Sequence, residues 1–130
     1  MLPPQDGFGA SGPGQGGRCR ILGPVDRQEY QRLADECLER TVRALEPFDP
    51  DEVDFSTSDG VVTIEFADRT RYVLNRQTAA SQMWFAAGAR AWHFDYDATQ
   101  AAWVDDKEHK ELFARIAEVI SAKIGRPVRI

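Results

Sequence analysis

Four carboxylates fall within six residues at Asp49, Asp51, Glu52 and Asp54. Asp35, Glu39 and Glu46 precede them at spacings of 4 and 7, which on a helix sets them along one solvent-facing side. Carboxylate oxygens clustered without Cys or His suit hard cations and high-spin iron, and do not suit zinc or copper. Exposed carboxylates hold such ions weakly, because water competes for every coordination position. The plainer alternative is a solvated helix face carrying ordinary surface acids.

A second constellation lies between Asn75 and Phe94, N-R-Q-T-A-A-S-Q-M-W-F-A-A-G-A-R-A-W-H-F. Amides, a guanidinium and an indole alternate here with apolar residues, and strand-forming segments flank them. Side chains alternating along a strand cannot all face one core. Asn75, Gln77, Gln82 and Trp84 are therefore candidates for an open sheet face. An exposed Trp beside amides reads as a recognition surface, and Trp84 stands open between that role and a core indole. Trp92 and Trp103 are assigned to the core or its edge. His93 reads as a structural hydrogen-bonding residue and His109 as a solvated residue in the first turn of a helix. The sequence contains no nucleophile elbow G-x-S-x-G, no phosphate loop and no H-E-x-x-H, so the catalytic classes those motifs define find no support.

The elements that must position these residues follow from spacing. Asp26 and Glu29 form a D-x-x-E capping box. Tyr30, Leu33, Ala34, Cys37, Thr41, Ala44 and Leu45 recur at helical spacing, which predicts a first helix from Arg27 to Glu46, stopped by Pro47 and Pro50. Strand signals follow around Val53–Phe55, Val62–Phe66, Tyr72–Leu74, Gln82–Ala87, Ala91–Tyr96 and Ala102–Val104, with Ser58-Asp59-Gly60 and Asp68-Arg69 as turns. Asp105 and Glu108 spell a second capping box, which predicts a second helix starting just after Asp106. Its apolar stripe is Leu112, Phe113, Ile116, Ala117, Ile120 and Ile124, with Gly125 as its end and Pro127 as its stop. Strands bracketed by two helices predict an α+β two-layer sandwich: two helices packed on one face of an antiparallel sheet of about six strands. The C-terminal Val128-Arg129-Ile130 is expected to lie against the helix pair.

One domain accounts for 130 residues. Residues 1–24 hold seven of the ten glycines and four of the seven prolines, a composition that buries no core and predicts a disordered tail over 1–25. A second expectation is that this tail is not native, with translation starting at Val25. The domain proper is expected over 26–130. Cys19 lies in the tail and Cys37 on the apolar helix face, which argues against a disulfide and for a reduced cytosolic protein. No apolar run approaches the length of a membrane span. The net charge of −5 is unevenly spread. From Asp26 to Asp68 there are 13 acidic and 4 basic residues, against 8 and 12 in the rest. Such a field attracts cations or a basic partner and repels nucleic acid.

The pattern N-R-Q…Q-x-W…H-F, preceded by a strand and followed by W-V and a last helix, resembles the bacterial branch of the frataxin family. E-Y-Q-R-L-A-D, Glu29 to Asp35, fits that family's opening helix. The resemblance runs from about Glu29 to the C-terminus. It implies the same helix–sheet–helix architecture and a weak iron site on an acidic ridge, here Glu39, Glu46, Asp49, Asp51, Glu52 and Asp54. It also implies that Trp84 lies on the open face, with Asn75, Gln77 and Gln82, as a partner-binding patch. The function implied is that of an iron-binding accessory protein of iron–sulfur cluster assembly. Such a protein docks on a cysteine desulfurase and its scaffold, as a monomer able to oligomerise with iron. Weak ferroxidase activity at the same carboxylates is the enzymatic alternative. A nucleic-acid module built on Trp84, Arg71, Arg76 and Arg90 is a third.

The chain departs from the family pattern in places. Val42 and Arg43 stand where adjacent acids are frequent, Pro47 replaces another acid, and Arg90-Ala91 replaces a Gly-Gly pair. Arg40 and Arg43 are expected to pair with Asp35, Glu36 or Glu39, which would shift the ridge centre toward Asp49–Asp54.

Overall fold

A computed structural model describes residues 26–130. The tail expectations for residues 1–25, and Cys19 with them, lie outside the described residues. Helix α1 spans Arg27–Leu45, six strands follow as β1 Val53–Ser58, β2 Val61–Phe66, β3 Arg71–Gln77, β4 Gln82–Ala87, β5 Arg90–Asp97 and β6 Ala102–Asp105, and helix α2 spans Leu112–Ile124. Each strand pairs antiparallel with the next, so the sheet is an uninterrupted meander in the order β1 to β6.

Alternation decides the two faces. Val62, Ile64 and Phe66 of β2 are buried, and the register carries that face through Leu74, Phe85, Trp92 and Phe94 to Trp103. Both helices cover it. From α1 come Tyr30, Leu33, Ala34, Cys37, Leu38 and Leu45; from α2 come Leu112, Phe113, Ile116 and Ile120. Burying a large apolar side chain contributes about 1.5–3 kcal/mol each, so this layer is what holds α1 and α2 to the sheet. One polar bond fixes the register between layers: the Tyr30 hydroxyl donates to the carbonyl of Gln82 at 2.9 Å.

Asp26 caps α1 as expected, its carboxylate accepting from the Glu29 N–H at 2.8 Å. The helix closes at Leu45, with Glu46 as its C-terminal cap. Helix α2 begins later than the D-x-x-E spacing predicts. Asp105 is the last residue of β6, paired with Phe94, and is buried. Its carboxylate accepts from the N–H groups of Lys107 and Glu108, and its own N–H donates to the Lys110 carbonyl. These bonds close a turn in which His109 takes the left-handed conformation at φ 59°. The chain needs that turn to climb from the sheet layer to the helix layer. The true cap is Glu111, whose carboxylate accepts from Phe113 and Ala114. His109 is thus an exposed turn residue, outside α2. Gly125 ends α2 at φ 79°, where a side chain would be strained. Val128 and Ile130 pack against the core as expected, and the Val128 N–H donates to the Ser121 hydroxyl.

Candidate iron ridge and docking face

The acidic segment begins where α1 runs out of helix-forming sequence at Pro47. Asp49 then organises a tight turn. Its carboxylate accepts from the Asp51 N–H at 2.9 Å, and its carbonyl accepts from the N–H groups of Glu52 and Val53. This turn delivers the chain into β1, where Asp54 bonds back to the N–H of Phe55 at 2.8 Å. Glu39 and Glu46 are exposed on the last turns of α1.

Glu52 is the exception, being half-buried and ion-paired with Arg126 beyond the end of α2. Among the described residues, no ion pair takes Glu39, Glu46, Asp49, Asp51 or Asp54. Nor do three or more Asp, Glu, His or Cys side chains among the described residues converge on one point. The donor set therefore fits a hard cation held loosely at an exposed surface, and does not fit an enclosed site.

Two expectations about this helix are corrected. Asp35 does not join Glu39 and Glu46 as a free ridge acid. Arg76 of β3 reaches across to it at 2.7 Å and also bonds Asp59 at 3.3 Å, tying α1 to the β1–β2 turn. Arg40 and Arg43 do not neutralise the ridge either. Arg40 stacks 3.8 Å from the centre of the Phe113 ring, and Glu36 pairs with Arg32 one turn earlier. Stacking on α2 holds Arg40 on the other side of α1, and Arg43, exposed on the same side as Glu39, makes no ion pair among the described residues.

The second constellation lies on the uncovered face of the sheet. Asn75 sits opposite Trp84, Gln77 opposite Gln82, and Trp84 opposite His93. Trp84 is half-buried, whereas Trp92 and Trp103 are buried under the helices. The indole stacks on His93 with centroids 4.4 Å apart and planes at 20°. Its N–H donates to the Gln82 side-chain oxygen at 2.8 Å, and the Gln82 amide donates to Asp95 at 3.1 Å. Four side chains from two strands are thereby locked into one patch. His93 and Asp95 were not singled out for it by sequence, although the alternation of β5 around buried Trp92 and Phe94 places them outward.

Of the cations considered for a nucleic-acid surface, only Arg71 shares this face. Arg76 is committed to Asp35 and Asp59 on the helix side, and Arg90 lies 4.6 Å from the centre of the buried Trp92 ring.

Elsewhere the charges serve the fold. Arg115 is buried, pairs with Glu108 and with Glu118 at 2.7 Å, and lies 4.7 Å from the Trp92 centroid. Lys123 bonds Asp68 at 2.6 Å. That bond, with those from Thr70, holds the Asp68 carboxyl well below its ordinary pKa. Burial pushes the Cys37 thiol well above its ordinary value and keeps it protonated and unreactive.

A profile of the frataxin-like domain matches residues 23–126. The chain is 38% identical over 98 residues to the iron–sulfur cluster assembly protein CyaY of Thioalkalivibrio sulfidiphilus, covering 75% of this chain and 92% of that one. It is 36% identical over 105 residues to CyaY of Dechloromonas aromatica, covering 80% and 97%. Among solved structures, frataxin from Psychromonas ingrahamii superposes with a TM-score of 0.72 at 25% identity over 81% of this chain and 97% of that one. Trimeric yeast frataxin complexed with ferrous iron shares the fold, with a TM-score of 0.63 at 24% identity over 82% and 93%. The chain belongs to the frataxin family, in which the nearest of these likenesses are to bacterial CyaY proteins. Among the described residues no helix is long and apolar enough to cross a membrane.

Proposed function

We propose that this protein is an iron-binding accessory protein of iron–sulfur cluster assembly, acting in the cytoplasm and without enzymatic activity of its own. It presents or senses Fe²⁺, held weakly as cargo at Glu39, Glu46, Asp49, Asp51, Glu52 and Asp54. It docks on a cysteine desulfurase and its scaffold through that ridge and through Asn75, Gln77, Gln82 and Trp84. The observation that carries this reading is the set of five acids left without ion pairs at the α1–β1 end, in a chain of this family. Unpaired like charges repel one another and lower stability, so a partner or cation that neutralises them is their natural counterpart.

Each side chain has a part. Asp49 shapes the turn that sets Asp51 and Asp54 outward, and the exposed carboxylates bind the ion by charge, with water completing its shell. Trp84 offers a large rigid surface, already oriented by His93 and Gln82, so docking costs it little conformational freedom. Capture of the cell's own cysteine desulfurase by the full chain is the test. A desulfurase that fails to bind would overturn the docking half. An Fe²⁺ titration followed by NMR tests the other half, with perturbation expected to centre on Glu46–Asp54. A tight, salt-insensitive site, or one centred on His93 or His109, would contradict it.

A further inference from the structure

The two edges of the sheet are treated differently. At β6, Val104 bridges to Glu111 and Asp105 bonds Lys110, so the loop before α2 covers that edge. At β1 the ladder leaves a gap. Phe66 bonds Thr70 and Arg76 bonds Gly60, which places the even-numbered residues of β2 in the β3 ladder. Val61, Thr63 and Glu65 then bond β1 through Ser58, Ser56 and Asp54. Val53, Phe55 and Thr57 consequently turn their N–H and C=O groups away from the sheet. Asp49 takes the Val53 N–H and Asp54 takes the Phe55 N–H. The Phe55 carbonyl and both groups of Thr57 keep no partner among the described residues.

A groove of about 390 Å³ lies directly over this stretch, on the helix side. Leu38 and Val42 form its wall from α1, and Thr57, Val61 and Val62 form its floor. Glu39 and Arg43 stand at its rim. A strand laid along β1 at the usual spacing of about 4.8 Å would turn alternate side chains into this groove. Apolar ones fit it. The remaining side chains would turn to the uncovered face, beside Asp54 and in the wider field of Asp49 and Asp51, while Glu39 flanks the groove itself.

We propose that the outer edge of β1 takes an extended partner segment of alternating basic and apolar residues as a seventh strand. Main-chain bonds to Phe55 and Thr57 supply the register, the groove selects the apolar residues, and the acids select Lys or Arg. A second copy of this chain is a poor occupant, because pairing β1 with itself brings two acidic edges together. The inference rests on the ridge as a docking side and adds to it the shape of what docks.

The probe is a synthetic peptide, Lys-Val-Lys-Val-Lys-Val-Lys, compared with the same peptide N-methylated at alternate residues. Methylation removes the N–H groups and leaves the charge intact. In NMR titrations of the full chain, the unmodified peptide is expected to shift the amides of Phe55–Ser58 and the side chains of Leu38 and Val42. The N-methylated peptide should bind about tenfold more weakly, and Val42→Lys, which fills the groove, should weaken the unmodified one. Equal binding by both peptides, shifts centred on Trp84, or binding by neither would overturn the proposal. Charge reversal at Asp49, Asp51 and Asp54 is the separate test of the ridge. Desulfurase capture that survives reversal defeats the ridge as a docking side, whereas equal peptide binding defeats only the added strand.

Discussion

The corner where α2 meets β5 and the corner where α1 meets β1 are both rich in charge, and they use it in opposite ways. At the first, Arg115 is buried with Glu108 and Glu118 on it, and Asp105 is buried with two N–H groups on its carboxylate. At the second, Glu39, Glu46, Asp49, Asp51 and Asp54 stay exposed, with no cation assigned to any of them among the described residues. Composition alone would group these acids together. Their partners separate them into acids that specify a fold and acids that are free to act on something else.

Charge reversal should separate the corners most strongly. Replacing Asp49, Asp51 and Asp54 by Lys together is expected to weaken desulfurase docking at least about a hundredfold. Thermal stability should stay equal or rise, because the acids repel in the free domain. Calorimetry of binding beside a melting curve measures both, and undiminished docking would remove the distinction drawn here.

Arg115→Ala should do the reverse, lowering stability and sparing docking. Removing one member of a buried ion pair costs about 3–5 kcal/mol. The acids left behind here are half-exposed, so about 2–2.5 kcal/mol is expected, read from urea midpoints. A neutral result would mean that the buried guanidinium contributes little beyond packing on Trp92.

Trp84→Ala extends the comparison to the open face. An exposed anchor costs about 2 kcal/mol of binding with little loss of stability, whereas a core indole typically costs about 3–5 kcal/mol of stability. We expect the first outcome, and a large fall in melting temperature would return Trp84 to the core.

The smallest effect concerns acid. The folded-state pKa of Asp68 is depressed, first by the Lys123 bond and then by Thr70. Its contribution is present above the unfolded-state value of about 3.9 and is lost as pH falls through the folded value. Asp68→Asn should therefore lower stability slightly near neutrality, where the contribution is fully present, and flatten the profile below about pH 4, where the wild-type chain loses it too. An unaltered acid limb would show that water screens this exposed pair completely.

Much of this architecture could be read directly from residue order. The alternation of Val62, Ile64 and Phe66 and the stripe from Leu112 to Ile124 report burial, which local periodicity encodes. The start of α2 departs from the capping-box spacing of Asp105 and Glu108, because pairing of Asp105 with Phe94 takes precedence over local propensity. The partners of Arg40 and Asp35 depend on contacts between α1 and α2 and between α1 and β3, and sequence separation hides those. Trp84, Gln77 and Asn75 could be placed outward by parity, but the stack on His93 needed the β4–β5 register. The contrast between the covered β6 edge and the open β1 edge depends on which ladder each N–H joins, and no residue type announces that.

The separation of the three indoles has an optical consequence. Trp92 and Trp103 are shielded from water under the helices, while Trp84 meets solvent and lies against an imidazole. The red edge of the emission should come mainly from Trp84, and a soluble quencher should extinguish that component first. Any macromolecule that covers the uncovered face of the sheet would shift that one component to the blue, giving the molecule an intrinsic reporter on the surface proposed for docking.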